Sequence, residues 1–281
     1  MLDRRLNAFR PDLADIRLKG QVEAERFVEG TPASVCVPFA PLRPRPDFEA
    51  SIDTQMLFGE TLKVFDSVDG WAFVQSDVDG YVGYLTEEEI TDAMDPATHW
   101  IATPRTFVYP GPDLRFPHVG ELSMGCRVTL TGEAETRGTK YALMEGGGAL
   151  ISAHCQPIGK PIDTDYVAVA SRFLETPYLW GGRSGFGIDC SGLVQLAMMM
   201  TGRAAPRDSD MQASRLGTPI ERDALQRGDL VFWKGHVGIM EDDKTLLHAN
   251  GHTMTVAREN LEEAIKRIGW LYDAPTGFRR P

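Results

Sequence analysis

Apolar positions along this chain follow two different periods. Between residues 31 and 158 they alternate in short runs: Thr61-Leu62-Lys63-Val64-Phe65, Trp71-Ala72-Phe73-Val74-Gln75 and Tyr81-Val82-Gly83-Tyr84-Leu85. Gly, Pro and Asp separate the runs. Period-two alternation over such lengths predicts half-buried strands joined by tight turns. Further on, Asp165 to Leu174 and Leu193 to Met200 carry the denser apolar pattern of buried helices, and Leu261, Ala264, Ile265 and Ile268 suit a helix near the C-terminus. Between these helices, Val231 to Met240 and Thr245 to Asn250 are rich in β-branched and large apolar residues. They predict a hairpin closed by Glu241-Asp242-Asp243-Lys244. The first thirty residues fit neither period clearly; Gln21 to Val28 is expected to form an extended or helical arm.

The alternating region repeats itself. Pro44-Arg45-Pro46-Asp47 returns as Pro110-Gly111-Pro112-Asp113, and Met56 to Val64 returns loosely as Leu122 to Leu130, both displaced by 66 residues. One offset shared by two landmarks predicts two copies of a small all-β module of about sixty residues, close to the smallest size that folds alone.

Composition narrows the function classes. Of the 281 residues, 42% are hydrophobic and 25% charged, which describes an ordinary globular protein with true cores. The formal net charge of −11 argues against nucleic acid as a partner, and against passive adhesion to anionic walls or membranes. Residues Met1 to Asp12 contain no continuous apolar stretch, so a cytoplasmic protein with no membrane association and no cofactor is expected. In that compartment Cys36, Cys126, Cys155 and Cys190 would remain thiols. No C-x-x-C or H-x-x-x-H spacing points to a metal. A Cys/His/His zinc site stays a minor alternative.

Chemistry concentrates at Gly187-Ile188-Asp189-Cys190-Ser191-Gly192-Leu193-Val194, where an extended Gly-rich stretch gives way to a helix. Cys190 falls in the first turn, where unpaired N–H groups and the helix dipole favour a thiolate. Two histidines on the predicted hairpin, His236 and His248, are candidate bases, twelve residues apart. A hairpin turn resets strand alternation, so spacing alone leaves open whether they share a face. A buried Cys or a strand His is usually structural. Glycines flanking both sites, Gly187 and Gly192 with Gly235 and Gly238, favour the nucleophile reading, because they allow a substrate to come close.

The strings Thr176-Pro177-Tyr178-Leu179-Trp180-Gly181-Gly182, Asp189-Cys190-Ser191-Gly192-Leu193-Val194-Gln195, Arg207-Asp208-Ser209, Gly228-Asp229-Leu230-Val231-Phe232 and Gly235-His236-Val237-Gly238-Ile239 resemble, in order and spacing, the NlpC/P60 cysteine peptidases. The resemblance spans roughly residues 160 to 281. It implies Cys190 as nucleophile, His236 as base, His248 as the orienting third residue and Tyr178 as a contributor to the oxyanion site. Members of the family cut peptidoglycan stem peptides, typically after D-γ-glutamate. Upstream, Gly70-Trp71-Ala72-Phe73-Val74 and Asp79-Gly80-Tyr81-Val82-Gly83-Tyr84 resemble bacterial SH3-type (SH3b) barrels; the second copy lacks the Trp and the Asp-Gly-Tyr string.

The expected fold is therefore α+β: an arm (1–30), two small SH3-like β-barrels (31–92 and 93–158) and a papain-like catalytic domain (159–281). Resemblance to a subfamily that trims small muropeptides further implies that Asp53 and Tyr81 of the first barrel meet the free amine of a terminal L-Ala. At Asp53 the subfamily usually carries Glu. The same resemblance makes Asp189, Ser191, Asp208 and Ser209 substrate contacts; helix capping is the bland reading of Asp189 and of Asp208-Ser209. Its expected partners are peptides of the type L-Ala-γ-D-Glu-diamino acid. Competing readings are a papain-like amidase or acyltransferase on another substrate, and a non-catalytic peptidoglycan-binding protein.

Overall fold

The 66-residue offset is a property of the hydrogen-bond network. Val35 O accepts from Gly59 N–H and Ile101 O from Gly125 N–H; Pro38 O accepts from Phe58 N–H and Pro104 O from Met124 N–H. The antiparallel pair Phe39–Leu42 with Thr54–Leu57 corresponds to Arg105–Val108 with Gly120–Ser123. The isolated bridge Arg43 to Tyr84 has a counterpart in Tyr109 to Ala149, where the second partner has slipped by one residue from the offset. Even the register shift between Val64 and Asp66 recurs between Leu130 and Gly132.

The computed structural model describes residues 2–271 and 273–281. The chain divides into two units, Met1–Ile158 and Gly159–Pro281. In the first unit, one sheet runs in the order Val82–Thr86, Trp71–Ser76, Thr61–Val68, Thr31–Val35, Ile90–Asp92. The second set of strands forms the meander Leu130–Thr136, Thr139–Met144, Ala149–Ile151, and a sheet with His99–Ile101 between Arg127–Val128 and Cys155–Pro157. Each meander opens with a two-residue hairpin turn, Asp69-Gly70 and Arg137-Gly138, in which both residues have positive φ. That turn matches the right-handed twist of its strands, and Asp-Gly is among its strongest sequence signals.

Leu57 of the first copy packs with Ile101, Leu122, Cys126, Val128 and Leu150 of the second, which explains why the two copies form one unit. The N-terminal segment belongs to this unit as well. It forms strands Leu13–Asp15 and Arg26–Val28, and Ala8 and Leu13 are buried with Phe65, Phe73 and Val82.

The second unit contains helices α1 (Tyr166–Ser171), α2 (Cys190–Met200), α3 (Ser209–Arg215) and α4 (Leu261–Leu271). α1 is shorter than the predicted Asp165 to Leu174; Asp165 caps it by accepting from Val167 N–H. A mixed-length antiparallel sheet runs in the order Thr218–Ile220, Gly277–Arg280, Leu230–Trp233, His236–Met240, Thr245–Asn250, Thr255–Asn260. The run Val231 to Met240 is thus two strands rather than one. Gly235 takes positive φ in the turn between Trp233 and His236, which pair directly. α2 is buried along most of its length, and α4 lays Leu261, Ala264 and Ile268 on Val231, Trp233, Met240 and Leu246 of the sheet. Among the described residues no helix is long and apolar enough to cross a membrane.

Candidate active site

The start of α2 is held by a carboxylate at its N-cap. Asp189 accepts from Gly192 N–H at 2.7 Å, the usual capping contact, and from Gly181 N–H at 3.0 Å. Arg207 closes the arrangement. Its two terminal nitrogens donate to the two Asp189 oxygens at 2.9 and 2.7 Å, and one also donates to Ser191 Oγ at 2.9 Å. The guanidinium is 1% exposed, so this is a bidentate pair removed from water. Close approach does the rest: a Cβ on Gly192 would lie 2.4 Å from the Gly182 carbonyl oxygen, so only glycine permits this packing. Cys190, the first helical residue, is therefore fixed on both sides.

Across from it, α2 packs against the strand that begins with His236 and against Thr245–Asn250, and the Val237 backbone N–H lies on the side of the sheet where it favours a charged sulfur. Ile239 pairs with Leu247 across the hairpin, so continuation of the register sets Gly238 opposite His248. His236 and His248 thus share a face as diagonal neighbours, the point that spacing left open. His236 Nε2 lies 2.9 Å from His248 Nδ1. The other His248 nitrogen, Nε2, lies 3.2 Å from Glu259 Oε2, an approach too oblique for a well-formed hydrogen bond. Arg267 on α4 donates to both oxygens of Glu259.

Electrostatics set the resting protonation. Burial pushes the Cys190 thiol up to about 12, with the Asp189 carboxylate adding to the effect. Burial likewise pushes the His236 imidazole down to about 3, helped by His248. Burial favours the neutral form of both groups. Burial thus opposes the thiolate that the helix start favours. Glu259 behaves in the opposite sense. Burial alone would raise it, but its contacts to His248 and Arg267 prevail and hold it at about 2.

The remaining expected residues fall as follows. Tyr178 pairs by backbone with Ile188, two residues before Cys190, and donates its N–H to Met254 O. Ser191 is buried beside Asp189. Asp208 is the N-cap residue of α3, its carbonyl accepting from Gln212 N–H, and Ser209 opens the helix. Gln212 in turn donates to the Ser191 carbonyl at 2.9 Å, which ties α3 to the start of α2. Asp53 and Tyr81 lie in the first unit. Asp53 donates its N–H to Leu42 O, and Tyr81 is buried with its N–H bonded to Asp79. Among the described residues no group of three or more His, Cys, Asp and Glu side chains is placed to hold a metal ion.

Two contributors escaped the sequence reading. Glu259 and Arg267 carry no motif. The one available signal for Glu259 is parity: it pairs with Leu246, and so stands two residues from the His248 partner Ala257 on the same face. Arg207, which the sequence offers only as part of the Arg207-Asp208-Ser209 string, is the buried cation that holds the helix start.

Comparison with known proteins places this geometry. The sequence profile of the NlpC/P60 family matches residues 175–268. That of the bacterial dipeptidyl-peptidase SH3 domain matches residues 42–90. The chain is 28% identical over 230 residues to a gamma-D-glutamyl-L-lysine dipeptidyl-peptidase of Bacillus cereus, covering 70% of this chain and 67% of that protein. It is 27% identical over 273 residues to dipeptidyl-peptidase 6 of Lysinibacillus sphaericus, covering 85% of this chain and 99% of that protein. Its fold is similar to the crystal structure of an NlpC/P60 family protein from Bacillus cereus. The TM-score is 0.73 at 24% identity, over 89% of this chain and 99% of the other.

Proposed function

We propose that this chain, a cysteine peptidase that carries an NlpC/P60 domain and a bacterial SH3 domain, hydrolyses the bond between D-γ-glutamate and the diamino acid in peptidoglycan stem peptides bearing a free N-terminal L-Ala. The observation that carries this reading is Cys190 at the start of a buried helix packed against the two strands that bear His236 and His248, whose imidazoles meet at 2.9 Å. The name of the Bacillus cereus relative supplies the bond and the acyl group. We read the two 66-residue copies as two SH3-like barrels of the first unit, and the natural substrates as peptides already released from the glycan, in murein turnover.

In the first step, Cys190 Sγ attacks the γ-carbonyl carbon of D-glutamate while its proton passes to His236. The tetrahedral oxyanion is held by the Tyr178 hydroxyl and the Cys190 N–H, one of the helix N–H groups with no partner inside the helix. Collapse breaks the C–N bond, and His236 returns the proton to the departing amine of the diamino acid. Water then attacks the thioester with His236 as base, releasing L-Ala-D-Glu and the free thiol. Asp189 and Arg207 hold the helix start, and Ser191, Asp208 and Ser209 face the substrate from around it.

Replacing Cys190 by Ala should lower cleavage of L-Ala-γ-D-Glu-diaminopimelate by roughly 10⁴-fold or more while leaving the thermal transition in place. Mass spectrometry of the products reports the bond cut. Retained turnover would reject Cys190 as the nucleophile, and products other than L-Ala-D-Glu would move the chain to the amidase or acyltransferase reading. Acetylating the substrate's terminal amine should cut turnover sharply; equal rates on both peptides would remove the requirement for a free amine.

A further inference from the structure

Resting on the roles given to Cys190, His236 and His248, we infer that Glu259, clamped by Arg267, is a positioning residue that dictates which nitrogen of each imidazole carries a proton. A carboxylate can only accept. It faces His248 Nε2, a buried atom that makes no hydrogen bond among the described residues and has Glu259 Oε2 at 3.2 Å. A proton on Nε2 is therefore favoured, and neutral His248 then has a bare Nδ1. That lone pair accepts from His236 Nε2–H across 2.9 Å. His236 is left with its lone pair on Nδ1, the nitrogen turned away from His248 and the one a base needs.

The alternative arrangement inverts every member of the chain. A proton on His248 Nδ1 would donate to His236 Nε2 and consume that lone pair. Neutral His236 would then carry its proton on Nδ1 and could not accept one from the thiol there. Two neutral imidazoles joined by one hydrogen bond allow only these two arrangements. The acidic group at the far end chooses between them, as the buried Asp does for the histidine of serine proteases. Arg267 makes the choice firm. Its Nε and Nη2 donate to Oε1 and Oε2 and keep the carboxylate ionised and aimed.

Glu259→Gln is the sharp test: it removes the charge, and with the amide oxygen in the Oε1 place, on Arg267 Nε, the NH₂ group stands in the Oε2 place that faces His248 Nε2. A donor in that place favours the inverted arrangement, whereas Glu259→Ala merely removes the bias. We expect kcat to fall in the order wild type, Glu259→Ala, Glu259→Gln, with KM little changed. The loss in the Gln variant should be roughly a hundredfold, the upper range for groups that orient a working histidine from behind. A role confined to structure predicts the reverse order, since Gln preserves packing that Ala deletes. The second readout is the ¹⁵N resonances of both imidazoles in a Cys190→Ala background. Wild-type Glu259 should give His248 protonated on Nε2, and Glu259→Gln should move that proton to Nδ1. An unchanged nitrogen pattern in Glu259→Gln, or a Gln variant more active than the Ala variant, overturns the inference. Should Glu259→Ala fail to fold, the nitrogen pattern of Glu259→Gln decides alone. Because those resonances are read without turnover, they answer even if the peptide proves not to be the substrate.

Discussion

The two units bury their carboxylates in different ways. In the first, Asp15 accepts from Arg17 N–H two residues on, and Glu60 accepts from Leu57 N–H three residues before. In the second, Asp189 meets Arg207 across 18 residues and Asp229 meets Arg280 across 51. The histidine face adds the 12-residue reach from His236 to His248. In the first unit a buried acid finishes a turn, and the same turn is built twice. In the second, buried acids fix the relation between elements distant in sequence, and the site is assembled from those relations. A unit of the first kind tolerates replacement of such a group by any local acceptor. The second kind does not, since removing one partner strands a charge away from water.

The largest effect that would sharpen this contrast is expected from Arg207→Met. It leaves the Asp189 carboxylate buried without its cation and should destabilise the second unit by about 3–5 kcal/mol in denaturant melts. Adding Asp189→Asn, which keeps the cap and removes the charge, should recover part of the loss. A single-variant cost below about 1 kcal/mol would mean that this long-range pair matters no more than a surface one.

The next effect is read with pH. His236 is held at about 3 in the folded chain, against an ordinary value of 6.5, because burial disfavours its cation. Below pH 6.5 the unfolded chain therefore binds a proton that the folded chain refuses. The associated stability is complete above pH 6.5 and is lost as pH falls toward 3. Glu259, depressed to about 2 from 4.5, adds its own loss only below about pH 4.5. His99 and His154 of the first unit are also lowered by burial, so the comparison is between wild type and His236→Asn. The wild type should lose stability from pH 6.5 to 4.5 more steeply than the variant, by a few kcal/mol at most. Parallel curves would show that His236 is not held neutral.

How much of this was legible follows the same division. The repeat, the Asp69-Gly70 turn and the alternating strands could be read because period-two burial and turn chemistry are local. Cys190 and the two histidines could be found because glycines and helix onset mark them within a few residues. Strand register was needed to place His236 and His248 on one face, and spacing carries no register across a turn. The break of Val231 to Met240 at Lys234-Gly235 went unread because the apolar residues on both sides mask a two-residue turn. The electrostatics of Cys190 divide in the same way: the helix dipole that favours a thiolate is visible in sequence, whereas the burial that opposes it is a property of the packed unit. Glu259, Arg267 and Arg207 are surface-type residues by composition, and only tertiary packing gives them partners.

The smallest effect tests the comparison inside the first unit, where the two copies differ at one equivalent position. Glu60 and Cys126 stand 66 residues apart and are both buried. Glu60 Oε2 accepts from Leu57 N–H at 3.0 Å, and Cys126 Sγ accepts from Ser123 N–H at 3.4 Å. The same turn N–H is therefore satisfied once by a carboxylate and once by a thiol. A charged acceptor makes the stronger bond, and its removal leaves a buried donor without a partner, so Glu60→Ala should cost about 1–3 kcal/mol. A thiol is a weak acceptor that also packs as a small apolar group; Cys126→Ala should cost about 1 kcal/mol, mostly through lost contacts with Leu57, Ile101 and Leu122. Since both turns close locally, neither change should alter cleavage by the second unit. Thermal melts and turnover measured on the same two proteins check both statements. Equal costs would mean that the acceptor's charge is irrelevant to the turn, and loss of turnover would mean that the first unit's local hydrogen bonds govern the site after all.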